Sequence, residues 1–191
     1  MIDLAVIGGG PAGLATAIHA ARAGLHTIVI EKRSGPIDKA CGEGLMPHAT
    51  RQLELLGAAP AGWPFRGVAY LDARHRVTAQ FDSGTGLGVR RTTLHAALLD
   101  AAVAAGVDIV QDSVRAVSQD DDAATVHATR TDIRARYVAA ADGLHSPIRA
   151  SLHLERPAGR ARRWGLKRHV AVAPWSEFVE VYWSADTEAY V

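Results

Sequence analysis

The stretch Leu4-Ala-Val-Ile-Gly-Gly-Gly-Pro-Ala-Gly-Leu-Ala-Thr-Ala17 decides the fold that we predict for this chain. It begins as a short apolar strand and continues from Pro11 as an alanine-rich helix. Gly8 permits the turn out of the strand, Gly10 lets an anion approach the backbone, and Gly13 lets the helix lie close to the strand. The amide groups of the first helical turn and the positive end of the helix dipole then favour a phosphate at this turn.

A second strand and an acidic residue give the glycine motif the context of a dinucleotide site. Residues 26–30, His-Thr-Ile-Val-Ile, form the next predicted strand, and Glu31 follows directly. A carboxylate at this position accepts hydrogen bonds from the hydroxyls of an adenosine ribose. The alternative is a glycine-rich turn that binds nothing, and the combination of strand, glycines, helix and acid disfavours it.

The composition is that of an ordinary globular protein and excludes several classes of function. Of the 191 residues 48% are hydrophobic, and the net charge of +1 provides no general attraction to nucleic acid or to an acidic membrane surface. Glycines and a proline interrupt the apolar residues near the amino terminus, so we predict no transmembrane segment and no signal peptide. The single cysteine excludes an intramolecular disulfide, which agrees with a reducing compartment. We therefore predict a cytoplasmic protein without nucleic-acid partners, while its oligomeric state is not indicated.

Strands and helices alternate along the remaining chain, which predicts an α/β fold. Residues 47–56 and 92–105 form helices, 107–110 a strand, 65–71 and 76–81 a hairpin, 114–118, 124–129 and 133–139 an antiparallel β meander, and 164–172 and 178–183 strands of a second layer. We predict a Rossmann-like domain with a parallel sheet over residues 1–155, and an incomplete β-rich substrate domain over residues 156–191. The hairpin at about residues 62–82 belongs to the substrate side. No helix follows to cover the last strands, so we expect relatives to continue beyond them.

A second motif, Ala141-Asp-Gly-Leu-His-Ser-Pro-Ile-Arg149, follows the last strand of the meander. Asp142 and Gly143 turn the chain sharply, and Ser146 before a proline caps a short helix. This turn lies at the carboxyl edge of the parallel sheet, where doubly wound proteins bind their ligands. A plain strand-turn-helix with a capping serine is an equally good interpretation of the spacing alone.

Taken together, these motifs resemble the class A flavoprotein monooxygenases, whose fold is shared by para-hydroxybenzoate hydroxylase, geranylgeranyl reductases and flavin-dependent halogenases. The resemblance rests on the glycine motif with Glu31, on Arg91 at the start of the central helix, and on the Asp142-Gly143 turn. The segment Lys39-Ala-Cys-Gly-Glu-Gly-Leu-Met46 is closer to the geranylgeranyl reductase-like branch, whose members carry Cys-Gly-x-Gly here. The resemblance implies a Rossmann-like FAD-binding domain with FAD as cofactor.

The resemblance also implies roles for individual residues. Arg91 reaches the pyrophosphate of FAD, Val114 meets the adenine edge through its backbone, and the Asp142-Gly143 turn lies near the pyrophosphate and the ribityl chain. In relatives that turn is also linked to NAD(P)H, which is therefore an implied electron donor. The segment at Cys41 passes beside the isoalloxazine ring. The predicted cofactor-binding set is Gly8, Gly10, Pro11, Ala12, Gly13, Glu31, Lys32, Gly42, Arg91, Val114, Asp142 and Gly143.

The sequence departs from this family in one respect. Relatives have a later Gly-Asp motif that closes over the flavin, followed by the rest of a substrate-binding sheet. After Gly143 only Gly159 and Gly165 remain, and neither precedes an aspartate. The sequence therefore does not indicate whether these 191 residues retain the flavin without the later motif.

The residues that carry the chemistry are less well indicated than those that hold the cofactor. A flavin supplies hydroxylation or transfers a hydride to a double bond, and the sequence does not decide between these reactions. Cys41 is the one catalytic candidate, although a structural loop cysteine is the favoured alternative. The nine histidines show no metal-binding pattern. A basic group of residues has two interpretations: it binds an anionic substrate, or it forms a solvated face opposite Glu177, Glu180, Asp186 and Glu188. We favour the solvated face. The basic group comprises Arg156, Arg160, Arg162, Arg163, Lys167 and Arg168.

Three functions remain open at this point. The favoured one is an FAD-dependent oxidoreductase, a monooxygenase or reductase that acts on a small hydrophobic organic molecule. The second is a truncated, catalytically inactive FAD-domain fragment. The third is a simple NAD-binding Rossmann protein, which the β meander and the Asp142-Gly143 turn disfavour.

Overall fold

The computed structural model describes residues 1–156 and 164–191, and it contains four helices and thirteen strands in those residues. The helices are α1 (Pro11–Arg22), α2 (Pro47–Leu55), α3 (Arg91–Ala104) and α4 (Pro147–Ser151). The strands are β1 (Ile2–Ile7), β2 (Thr27–Glu31), β3 (Gly44–Leu45), β4 (Trp63–Phe65), β5 (Gly67–Leu71), β6 (Arg76–Gln80), β7 (Gly86–Gly88), β8 (Asp108–Gln111), β9 (Val114–Gln119), β10 (Ala124–Ala128), β11 (Asp132–Ala140), β12 (Phe178–Trp183) and β13 (Glu188–Tyr190).

A six-stranded sheet in the order β8-β2-β1-β11-β10-β9 carries the glycine motif. The neighbours β8, β2, β1 and β11 run parallel, and β10 and β9 continue the sheet as antiparallel strands. The α/β fold class with a parallel sheet and an antiparallel meander is therefore confirmed. Because the four parallel strands end at the same edge, the residues that follow β1, β2, β8 and β11 lie close together.

Apolar side chains cover both faces of this sheet. On one face Val6 and Val29 pack against α1 and α3, in a buried cluster that includes Leu14 and Leu98. On the other face Ile7 belongs to a second buried cluster, together with residues of the meander and α4. This burial on both faces is why β1 and β2 are continuous apolar runs in the sequence. Each fully buried Leu or Ile contributes about 2 kcal/mol to this core.

The predicted hairpin belongs to a separate four-stranded sheet in the order β13-β12-β5-β6. Strands β5 and β6 pair antiparallel, as the sequence indicates, and β12 pairs parallel with β5, placing Phe178 opposite Gly67. This shared sheet supports assigning the hairpin to the layer of the carboxyl-terminal strands. The division into domains at residues 1–155 and 156–191 stays a prediction.

The predicted strand over residues 164–172 is wrong, because no residue of this segment belongs to a strand. Its side chains are exposed, and two of them are held elsewhere: Lys167 and His169 contact the carboxylate of Glu43 instead of pairing with a neighbouring strand. Besides β4, which overlaps a predicted strand only at Phe65, three short strands were not predicted from the sequence. Two of them, β3 and β7, form a small sheet with β4, and the third, β13, pairs with β12.

Candidate functional site

The turn between β1 and α1 depends on two glycines, Gly8 and Gly13, at which any side chain would displace neighbouring backbone atoms. Gly8 has φ of +103°, and a Cβ there lies 2.5 Å from the carbonyl oxygen of Ala141. A Cβ on Gly13 collides with the carbonyl oxygen of Gly8 and lies 3.3 Å from Cγ1 of Val6. The strand, the helix and the chain after β11 are therefore in direct backbone contact at this turn.

Gly10 differs from these two, because a Cβ built on it meets no atom within 4 Å. It is the N-cap residue of α1 and provides no capping side chain, and Pro11 follows as the first helical residue. Amide groups of the first turn, including that of Ala12, are left for an external acceptor. Open space in front of a helix amino terminus is the arrangement that binds a phosphate.

Glu31, the last residue of β2, is turned toward the glycine motif. Its Oε2 accepts a hydrogen bond of 2.8 Å from the amide of Gly9, and its Oε1 accepts one of 3.0 Å from the amide of Arg33. A carboxylate has about four acceptor positions, so further hydrogen bonds are available to it. Glu31 is thus held in one orientation while it keeps the capacity to accept two hydroxyl groups.

His95 on α3 holds the other side of the same glycine, and the sequence analysis did not select it. Its Nε2 lies 2.8 Å from the carbonyl oxygen of Gly9, and the residue is 3% exposed. Burial lowers the pKa of His95; the bond to Gly9 and the charge of Glu31 oppose this shift, while the charge of Arg91 reinforces it. The imidazole is therefore neutral near pH 7, and its Nε2 carries the proton that it donates to Gly9.

A cavity of about 230 Å³ opens beside these groups. Its wall includes the polar residues Glu31 and His95 next to Gly9, and the apolar residues Leu99 and Ile109. An apolar wall next to a carboxylate suits a flat base attached to a sugar with two hydroxyls. The cavity therefore matches the adenosine half of a dinucleotide.

Arg91, the first residue of α3, is buried although it carries a charge. Its amide donates to Oε1 of Glu43 at 2.8 Å, and it is 6% exposed. Within the described residues its Nη1 has no hydrogen-bond partner. An unpaired buried guanidinium nitrogen costs free energy unless an anion occupies the site.

The Asp142-Gly143 turn lies against the glycine motif, as the combination of the two motifs predicts. A Cβ on Gly8 lies 2.9 Å from Cα of Asp142, and Gly143 has φ of +97°. Oδ2 of Asp142 accepts a hydrogen bond of 3.3 Å from the amide of Ile148, and Oγ of Ser146 caps α4 through the amide of Arg149 at 2.9 Å. The predicted capping serine is therefore present beside the turn that the resemblance implies.

Three buried side-chain atoms lack a hydrogen-bond partner among the described residues, and all three belong to this region. They are Nη1 of Arg91, Nδ1 of His95 and Oδ1 of Asp142. The large majority of buried polar side-chain atoms in native proteins have a hydrogen-bond partner, and each exception calls for an explanation. Asp142 lies beside Gly8, His95 bonds to Gly9, and Arg91 precedes His95 by about one turn of α3, so a polar ligand at the glycine motif would explain all three.

The segment that contains Cys41 joins this region from the side, and Glu43 is its best-connected residue. Glu43 has φ of +55°, and besides the amide of Arg91 its carboxylate accepts from Nζ of Lys167 at 3.0 Å and Nε2 of His169 at 2.6 Å. Partial burial raises the pKa of Glu43, but the hydrogen bonds from His169, Arg91 and Lys167 outweigh it and lower the pKa to about 2. Cys41 is exposed, and its Sγ accepts a 3.5 Å hydrogen bond from the amide of Glu43.

Other predicted residues have less direct relations to the cavity. Lys32 and Gly42 are exposed. The side chain of Val114 packs on the second apolar cluster, and Val114 is not part of the cavity wall, which instead includes Gln111. The roles predicted for these three residues stay predictions.

The structure describes Arg156, Lys167 and Arg168 of the basic group, and the predicted position opposite the later acidic residues is wrong for Lys167. Lys167 pairs with Asp38 at 3.2 Å and with Glu43, and not with the acidic residues after position 176. Of those, Glu177 pairs with an arginine of the hairpin region, and so does Glu180. Arg156 and Arg168 are exposed, and the other three arginines of the group, Arg160, Arg162 and Arg163, lie outside the described residues.

Comparison with known proteins decides the family. A family model described as "FAD binding domain" matches residues 1–190. The chain therefore belongs to the FAD binding domain family. FAD, the cofactor that the sequence motifs imply, is confirmed by this membership.

Relatives of this FAD binding domain include both reductases and monooxygenases. It is 35% identical over 128 residues to the menaquinone reductase of Mycolicibacterium smegmatis, and this aligned region covers 67% of the chain and 29% of that protein. It is 29% identical over 179 residues to the rifampicin monooxygenase of Streptomyces venezuelae, and this aligned region covers 85% of the chain and 36% of that protein. The chain thus spans about a third of the length of these relatives.

Solved structures share the fold of this FAD binding domain. A geranylgeranyl bacteriochlorophyll reductase-like protein from Thermoplasma acidophilum aligns with a TM-score of 0.73 at 22% identity, over 96% of the chain and 50% of that protein. The predicted resemblance to the flavoprotein monooxygenase and geranylgeranyl reductase-like group is confirmed. In the described part of the chain, no helix combines the length and apolar character that a membrane crossing requires.

Proposed function

We propose that this chain binds FAD along the carboxyl edge of the parallel sheet and is the FAD-binding part of an oxidoreductase. The observation that carries the proposal is the set of three buried polar atoms, on residues next to the glycine turn, that have no hydrogen-bond partner among the described residues. The groups present fit FAD: a carboxylate for the ribose, an open helix amino terminus for the diphosphate, and a buried guanidinium for its charge.

Each residue has one task in this proposal. Glu31 accepts hydrogen bonds from the adenosine ribose, and the open space at Gly10 admits the diphosphate. Arg91 supplies positive charge where its Nη1 has no partner in the described residues. Asp142 accepts a hydrogen bond from the part of the cofactor beyond the diphosphate. Because these groups come from four separate elements, binding of the cofactor ties the parallel sheet to α3.

The chemistry comes from the cofactor when it is bound, because a flavin accepts and donates hydride equivalents. This chain binds and orients it, and Cys41 remains a candidate for contact with the ring. NAD(P)H stays the proposed electron donor. The relatives named above include a reductase and a monooxygenase, so the proposed reaction is reduction or oxygenation of a small hydrophobic organic molecule.

A titration of the purified chain with FAD tests the proposal. We expect saturable quenching of flavin fluorescence, and FAD preferred over NAD(H). In Glu31→Gln the amide oxygen still accepts from Gly9, whereas the NH2 group accepts neither from the amide of Arg33 nor from the ribose, so we expect FAD affinity to fall roughly tenfold or more. Glu54→Gln is the matched control, because Glu54 is exposed on α2. Unchanged affinity in Glu31→Gln contradicts the proposed site, and preference for NAD(H) contradicts the proposed cofactor.

A further inference from the structure

Side chains from two different elements form hydrogen bonds with the amide and the carbonyl of Gly9. Glu31 of β2 accepts from its amide at 2.8 Å, and His95 of α3 lies 2.8 Å from its carbonyl oxygen. We infer that His95 is a positioning residue of the cofactor site, which orients the glycine turn by holding the carbonyl of Gly9. This inference rests on the proposed function, since it concerns the binding of FAD.

The hydrogen bond from His95 determines where the next amide points. The carbonyl of Gly9 and the amide of Gly10 belong to one planar trans peptide, so their oxygen and hydrogen point in opposite directions. A donor that holds the oxygen toward α3 therefore directs the amide of Gly10 away from α3. Glycine restricts its own backbone less than any other residue, so this orientation needs an external constraint.

The buried side chain of His95 contributes little to the free energy of unfolding, which argues against a purely structural role. Its Nδ1 is buried without a partner among the described residues, and its ring is a polar group on the helix face that buries Leu94 and Leu98. A buried acceptor without a partner offsets most of the stabilisation from one good hydrogen bond. A leucine at position 95 would extend the apolar face and leave no unpaired atom. The expected gain from the histidine is therefore orientation of the turn.

Two substitutions separate the hydrogen bond from the packing. From Cβ to Nε2 a glutamine has the same number of bonds as a histidine, so His95→Gln retains a donor to Gly9, while its Oε1 replaces Nδ1 as the buried acceptor. His95→Leu removes both the donor and the acceptor. We expect His95→Leu to bind FAD about tenfold more weakly than the wild type, and His95→Gln to remain within about threefold of it. His19→Gln is the control, because His19 is exposed on α1.

The readouts are the dissociation constant for FAD, the midpoint of urea unfolding without FAD, and the hydrogen exchange of the Gly9 amide by NMR, since this amide is protected by its bond to Glu31. We expect the midpoint of His95→Leu to equal or exceed that of the wild type, while its Gly9 amide exchanges faster. Equal FAD affinity in all variants overturns the inference. So does a loss of affinity in His95→Leu that follows an equal loss of stability, or a failure of His95→Gln to restore binding. If the wild type itself binds no FAD, the proposed function fails instead, and the amide exchange still reports whether His95 orders the turn.

Discussion

Gly10 and Gly13 of the same motif give opposite predictions when each is replaced by alanine, because a Cβ has free space at one and none at the other. At Gly13 the new methyl group collides with the carbonyl oxygen of Gly8 and lies 3.3 Å from Val6. Because the obstacle is backbone, α1 must move away from β1, and we expect a loss of about 3 kcal/mol in the free energy of unfolding. At Gly10 the methyl group meets nothing within 4 Å, and φ of −72° with ψ of 177° suits any residue.

For Gly10→Ala we therefore expect the free energy of unfolding to stay within about 0.5 kcal/mol of the wild type. The same methyl group fills the space that the diphosphate needs, so we expect the affinity for FAD to fall roughly a hundredfold, equivalent to about 3 kcal/mol. Stable protein that no longer binds cofactor is the signature of a ligand site, in contrast to a packing site.

Urea unfolding and FAD titration of the two variants measure these quantities. Gly165→Ala is the control, because Gly165 is exposed and a Cβ on it also meets no atom within 4 Å. A Gly10→Ala variant that binds FAD as tightly as the wild type would refute the placement of the diphosphate. A Gly13→Ala variant of unchanged stability would refute the close approach of α1 and β1.

Three further predictions follow from buried or strongly hydrogen-bonded charges. Arg91→Met removes an unpaired buried guanidinium nitrogen, so we expect equal or higher thermal stability without FAD and at least about tenfold weaker FAD binding by fluorescence titration. The fold lowers the pKa of Glu43 from 4.5 to about 2, so the ionised carboxylate contributes its full stabilisation above pH 4.5 and loses it as the pH falls toward 2. We therefore expect the difference in urea midpoint between the wild type and Glu43→Gln to shrink as the pH is lowered over that interval. Glu180 is 3% exposed and accepts hydrogen bonds from an indole, a phenol and a guanidinium, so Glu180→Leu is expected to lower the free energy of unfolding by about 2 kcal/mol, and an unchanged urea midpoint would contradict this.

The sequence predicts the parts of this molecule that depend on local pattern. The glycine spacing requires a tight strand-to-helix turn, and Gly8 does adopt positive φ there. The apolar run before Glu31 becomes a strand buried on both faces. The serine before Pro147 caps α4. In each case a residue and its near neighbours decide the local geometry.

The residues that sequence reasoning missed act through contacts distant in the chain. His95 bonds to Gly9, and Glu43 joins α3 to the segment at Lys167. One signal was available for His95, because after Arg91 it is the one polar residue on a helix face whose other buried residues are leucine and alanine. The segment 164–172 was expected to be a strand because its apolar residues suit one, but an acidic residue over a hundred positions earlier holds it instead.

The parallel pairing of β5 with β12 has a consequence for how the chain acquires its structure. Phe178 lies opposite Gly67, more than a hundred residues earlier in the chain, so this pairing forms only after the residues of β12 have left the ribosome. Until then the β5–β6 hairpin is an isolated two-stranded ribbon, which is marginal in water. We expect the glycine-motif sheet to mature first during synthesis, and the hairpin to stay sensitive to protease until β12 arrives.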